Sequence, residues 1–121
     1  MESSLKELAG YRMERAKEML SAAEDNLKIC QYKTSLNRSY YAIFHAMRAM
    51  NILKGFDSSK HSGVIAYFNK ELSVIIKSSS FLREKSDYDD FFIVGRNETE
   101  NQLASAKVFL EAVEKYLTEQ E

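Results

Sequence analysis

Thr34-Ser35-Leu36-Asn37-Arg38-Ser39-Tyr40-Tyr41-Ala42-Ile43-Phe44-His45-Ala46-Met47-Arg48-Ala49-Met50-Asn51-Ile52-Leu53 runs without a glycine or a proline. Leu36, Tyr40, Ile43, Met47 and Met50 recur at alternating steps of four and three, the spacing of one face of an α-helix. At about 100° per residue, Arg38, Tyr41, His45 and Arg48 cluster within roughly a quarter turn on the opposite side, flanked by Ala42 and Ala49. A helix packed on one face ordinarily carries Lys and Glu on the other. Here the second face holds two arginines, a histidine, a tyrosine and two alanines. Small residues beside large polar ones let another helix approach closely. The face is therefore expected to be an interface itself, between two copies of the chain.

The flanking sequence supplies the rest of a bundle. A first helix is expected from Ser4 to Cys30, because Ser4 followed by Glu7 has the spacing of a capping box. Leu5, Leu8, Ala16, Met19, Ala23 and Leu27 mark its apolar stripe. Gln31 to Lys33 is a short polar connection, so the second helix, Thr34 to Leu53, should return antiparallel. Lys54 and Gly55 form a cationic last turn and a stop, and a loop follows at Phe56 to Ser59. A shorter helix is expected from Lys60 to Leu72, capped by Ser58 or Ser59, with Val64, Phe68 and Leu72 inward. Ser73 to Lys77 is a continuation or a loop, since a lone strand has no partner. Ser78 to Ser80 reads as a cap for another short helix, Phe81 to Tyr88. Gly95 and Asn97 mark a turn, and Asn97 with Glu100 offers another capping box. The last helix, Glu98 to Leu117, carries Leu103, Ala106, Leu110, Val113 and Leu117 as its seam. The expected fold is all-α, an antiparallel up-and-down helical bundle with three long helices and one or two short ones.

The bulk numbers narrow the function classes. The 121 residues suit one domain spanning 1–121. Seventeen Lys and Arg against eighteen Asp and Glu leave a net charge of −1, so nucleic-acid binding would need a local basic patch. The single cysteine, Cys30, excludes an intrachain disulfide and fits a reducing compartment. It reads as a small helix-end hydrophobe, with no His or Asn beside it in sequence to activate it. No stretch reaches the ~20 apolar residues of a membrane span. Glu2 and Glu7 stand where a signal peptide would be basic and apolar. These features are read as a cytoplasmic protein without membrane association.

Arg38 and His45 lie seven residues apart on one face, about 10 Å along the axis. A fixed cation beside a group that titrates near neutral pH suits phosphodiester cleavage. The same pair also suits a plain helix surface, with Arg38 bridged to the Asp87–Asp90 cluster and His45 a satisfied interface histidine. Tyr40 and Tyr41 read as packing residues, one per face. His61 falls in the first turn of the expected third helix, as a structural or capping residue or as a contact to the cleft or a nucleotide. His45 and His61 do not make a recognisable metal-ligand set, and no cofactor is implied. Asp87, Asp89 and Asp90 are expected to cap a helix or to pair with Arg83 or Arg38 rather than hold a metal.

Asn37-Arg38-Ser39-Tyr40-Tyr41-Ala42-Ile43-Phe44-His45-Ala46-Met47-Arg48-Ala49-Met50 resembles the signature helix of the HEPN family. Lys60-His61-Ser62-Gly63-Val64-Ile65, Phe68, and Arg83 with Asp87-Tyr88-Asp89-Asp90 resemble segments of a prokaryotic subgroup of short stand-alone HEPN proteins. The resemblance covers about residues 9 to 117. It implies a helical bundle that dimerises and brings two signature helices together. It also implies a toxin-like, metal-independent endoribonuclease acting through an arginine, four to six intervening residues, and a histidine, here Arg38 and His45. Many active members carry Asn, Asp or His directly after the arginine, a position held here by Ser39. On this reading Arg38 and His45 are catalytic, and Tyr41, Arg48 and His61 contact RNA. A small nucleotidyltransferase is the implied antitoxin partner. The family also contains non-catalytic modules that dock a nucleotidyltransferase or hold a nucleotide.

Overall fold

A computed structural model describes residues 2–53, 70–88 and 93–119. Among these residues there are four helices and no strand: α1 (Glu2–Lys28), α2 (Tyr32–Leu53), α3 (Lys70–Tyr88) and α4 (Arg96–Glu119). The all-α expectation holds. α2 packs against each of the other three helices, whereas α1 and α3 make no contact among the described residues. Its expected apolar face is buried at every position: Leu36, Tyr40, Ile43, Met47 and Met50. Phe109, Leu110 and Val113 of α4 and Ile76 of α3 complete the core with them.

The turn between α1 and α2 is closed by the backbone. Cys30 N–H donates to the Leu27 carbonyl at 3.0 Å and Gln31 N–H to the Asn26 carbonyl at 2.8 Å. This is the Schellman arrangement, which places one residue in the left-handed region. That residue is Cys30, with φ 61°. Glycine usually holds such a position because a Cβ costs about 1–2 kcal/mol there. Cys30 sits at the helix end as expected, but exposed rather than packed. Arg96 donates to its Sγ at 3.7 Å.

The antiparallel α1–α2 pair has a seam of small residues. Ser35 Oγ donates to the Ala23 carbonyl at 2.7 Å, which sets the register. Counting seven residues along each helix from that bond pairs Ala16 with Ala42 and Ala9 with Ala49. All six of these residues are buried. The closely approaching helix expected at Ala42 and Ala49 is therefore α1 of the same chain, not a second copy. The apolar stripe of α1 holds at Ala16 and Ala23, which are buried, but it continues through Met13 and Ala9, whereas Leu5 and Leu8 are 38% and 39% exposed. Leu5 lies level with the end of α2, where its partner helix runs out. Leu8 is turned roughly 80° from the Ala16 direction.

The region from Ser73 to Tyr88 is one helix rather than two, and Ser78 to Ser80 is not a cap. Ile76, Ser79, Arg83 and Ser86, at helical steps of three and four, face the bundle and are buried. The Ser79 hydroxyl donates to Gln102 Oε1 of α4 at 2.6 Å, so tertiary pairing outweighs the capping preference of serine. The start of α4 also differs from expectation. Glu98 Oε2 accepts from Gly95 N–H at 2.9 Å, making Gly95 and Glu98 the capping pair instead of Asn97 and Glu100. Glu100 pairs with Arg96 at 3.3 Å. The expected helix from Lys60 lies outside the described residues up to its last turn, and so does His61.

Candidate functional site

Between residues 37 and 48, α2 keeps partial exposure at Asn37, Arg38, Tyr41, His45 and Arg48 and is buried at every other position. These five side chains form one strip along the helix, with α1 on one flank and α3 on the other. The sequence-predicted residues Arg38, Tyr41, His45 and Arg48 are thus together on the one open face of a central helix. Ser39 points inward and is buried, and its hydroxyl has no hydrogen-bond partner among the described residues. It contributes nothing to the strip. Asn37, on the other side of Arg38, takes the polar place beside the guanidinium.

At the Arg38 end the partners come from α3. Arg38 Nη1 donates to Asn37 Oδ1 at 2.8 Å. Asn37 Nδ2 donates to Asp87 Oδ2 at 3.5 Å, and Arg83 pairs with the same carboxylate at 3.3 Å. Asp87 is therefore bridged by Arg83, one of the two pairings expected for it; Asp89 and Asp90 lie outside the described residues. The Arg83 guanidinium also lies over the rings of Tyr40 and Tyr41, 4.9 and 5.9 Å from their centroids. Arg38 makes no ion pair among the described residues. With Lys33, Thr34, Asn37 and Asp87 it lines a shallow cleft of about 220 Å³.

At the His45 end the partners come from α1. Burial comes first, followed by the Arg12, Arg15 and Arg48 guanidinium groups, in pushing the imidazole pKa down to about 4; Glu18 opposes them. His45 is thus neutral at pH 7 and able to accept a proton. Arg15 is paired with Glu18 at 3.0 Å, and Arg48 lies over the Phe44 ring at 5.9 Å. Sequence reasoning missed Arg12 and Arg15. Their link to His45 passes through the helix pairing: the Ser35–Ala23 register brings Arg12 nearly level with His45. The signal was present in the equal seven-residue spacing of small residues on both helices, read as a pair.

A family model for the HEPN domain matches residues 9–116. The chain belongs to the HEPN family. A UPF0332 protein of Thermotoga maritima is 32% identical over 117 residues, covering 88% of this chain and 89% of that one. A Methanocaldococcus jannaschii protein bearing the name "Putative toxin MJ0142" is 30% identical, over 87% of this chain and 78% of its own. The solved structure of TT1696 from Thermus thermophilus superposes with a TM-score of 0.77, covering 88% of this chain and 96% of that one at 21% identity. That likeness carries the helical fold. The HEPN match spans the whole strip, all of α3 and α1 from residue 9 onward. No helix among the described residues is long and apolar enough to cross a membrane.

Proposed function

We propose that this HEPN protein is a toxin-like, metal-independent endoribonuclease that works as a homodimer through Arg38 and His45. One observation carries the reading. Between residues 37 and 48 the partly open face of α2 presents an arginine without an ion pair among the described residues and a histidine held neutral. A plain helix surface would bridge that arginine to a carboxylate and satisfy the histidine, whereas His45 Nδ1 is buried without a hydrogen-bond partner among the described residues. Similarity to a relative named as a toxin supports the toxin-like part.

The chemistry follows from those two groups. Neutral His45 takes the proton of an RNA 2′-hydroxyl as its oxygen attacks the adjacent phosphorus. Arg38 holds the phosphate and stabilises the charge that gathers on its oxygens. The bond to the 5′-oxygen breaks, and that oxygen takes the proton back from the His45 imidazolium formed in the attack. A second copy of the chain brings another Arg38 and His45 to the cleft. The products are a 2′,3′-cyclic phosphate and a free 5′-hydroxyl. Tyr41 and Arg48 extend the strip for a base or the next phosphate, and His61 remains a candidate contact. A small nucleotidyltransferase is the partner proposed to restrain the activity.

The test is cleavage of a mixed RNA pool in EDTA by wild type and by His45→Ala, with matched oligomeric states. Wild-type cleavage that disappears in the variant, leaving cyclic-phosphate ends, is expected. No cleavage by either protein, with both folded and assembled alike, would favour a non-catalytic HEPN module that docks a nucleotidyltransferase or holds a nucleotide.

A further inference from the structure

The proposed chemistry leaves Arg12 without a role, yet the molecule places it where it matters. Arg12 and His45 lie nearly level with each other across the α1–α2 pair, beside the small-residue seam that draws the two helices together. Arg12 Nε and His45 Nδ1 are both buried, and neither has a hydrogen-bond partner among the described residues. Buried polar nitrogens are ordinarily satisfied, and these two stand on facing stretches of α1 and α2 that the Ser35–Ala23 register sets nearly level. Arg15 and Arg48 stand close enough to act on the same imidazole, and the Glu18 carboxylate acts on it in the opposite sense. Arg38 is not among the charges that act most strongly on His45. Three guanidinium groups around a ring that can also donate make a place for an anion, and a phosphoryl group offers the oxygens to meet several N–H donors at once.

We infer that Arg12 and Arg15 of α1, together with His45 and Arg48 of α2, form a seat for one phosphoryl group. The seat is built within a single chain. It rests on the nuclease reading only for the source of the phosphate, an RNA backbone as opposed to a free nucleotide. Arg12 is a binding residue of the seat, and its second effect is on proton affinity. In the free protein it disfavours protonation of His45. A phosphoryl group bound between them neutralises that effect and favours the imidazolium. A histidine in this seat therefore becomes able to give a proton only when phosphate is present.

The test follows the His45 ring proton by NMR across pH. His45 is distinguished from His61 by comparison with His45→Gln. Three ligands are compared: inorganic phosphate, AMP, and a 2′-O-methyl tetraribonucleotide that cannot be cleaved. Phosphate is expected to raise the midpoint of His45 titration in wild type. In Arg12→Gln the ligand-free midpoint should rise, and half-saturation should need about tenfold more phosphate. Arg15→Gln should repeat the pattern more weakly, which guards against a folding defect in the first variant. A stronger response to the tetraribonucleotide than to AMP identifies the RNA backbone as the source; an equal response identifies a mononucleotide. A wild-type titration that no ligand moves, or an Arg12→Gln response equal to wild type, would overturn the seat. RNA cleavage by a wild-type protein whose His45 titration no ligand moves would overturn it while leaving the nuclease reading intact. A phosphate response in a protein that does not cleave RNA would do the reverse.

Discussion

His45 stands among three guanidinium groups with its ring half in water, and stability should report on it. Its pKa of about 4 when folded lies below the ordinary 6.5. The unfolded chain therefore binds the proton more readily. His45 contributes stability that is complete above about pH 6.5 and is lost as the pH falls towards 4. Between pH 7.5 and 4.5, wild type should lose about 1–2 kcal/mol more than His45→Gln, the ring's partial exposure keeping the difference modest. Urea unfolding of both proteins at the two pH values measures this; equal losses would show that His45 titrates normally. Tyr40, one position from Tyr41 in sequence, behaves in the opposite way. Burial pushes its hydroxyl up to about 12, so it stays protonated and structural. At this scale the sequence separated the two faces of α2 correctly, because a 3.6-residue period is visible in the pattern of apolar side chains. It could not show that Cys30 adopts a left-handed backbone, since nothing in a cysteine announces it.

The elements were legible in proportion to how far local chemistry governs them. α2 and α4 follow their apolar seams, and both appear where the periodicity put them. α3 does not follow its serines. Ser79 is committed to Gln102 across the bundle, a partner 23 residues further along the chain and out of reach of any local reading. The stripe of α1 was misread because leucine looked more core-like than alanine. The seam actually selects for smallness, so Ala16 and Ala42 outrank Leu5 and Leu8. Ala42→Leu should accordingly cost about 1–3 kcal/mol or more, since a larger side chain must push the helices apart. A thermal melt compared with that of Ala42→Ser measures the effect; a Leu variant as stable as wild type would mean that the seam has slack.

For the whole molecule, α2 is the shared partner and α4 the brace. Among the described residues, α1 and α3 touch α2 and α4 but not each other. Loss of packing on α4 should therefore be felt on both sides at once. Phe109 is fully buried in the core, and Phe109→Ala is expected to lower unfolding free energy by about 3–5 kcal/mol. Probes placed on α1 and α3 should then unfold at the same reduced urea concentration. Two separated transitions would show that α1–α2 folds as its own unit. The bundle as a class was readable from the sequence, and so was the strip of Arg38, Tyr41, His45 and Arg48. Of the groups beside the strip, the Arg83–Asp87 pair was readable too, whereas Arg12 and Arg15 were not, because they reach it only through helix pairing.

That pairing also limits how the chain can drift. Most single-base changes to an alanine codon bring in valine, threonine, proline, aspartate or glutamate, all of which are larger or break the helix. Along Ala9, Ala16, Ala23, Ala42 and Ala49 such changes wedge the helices apart, glycine weakens them, and serine alone is close to alanine in size. Few of the mutations readily available at these positions leave the two helices in place. A lineage that keeps its fold thereby also keeps positions 12 and 45 level with each other, whatever residues they hold. The least chemically interesting side chains in the molecule fix the alignment of its most reactive ones.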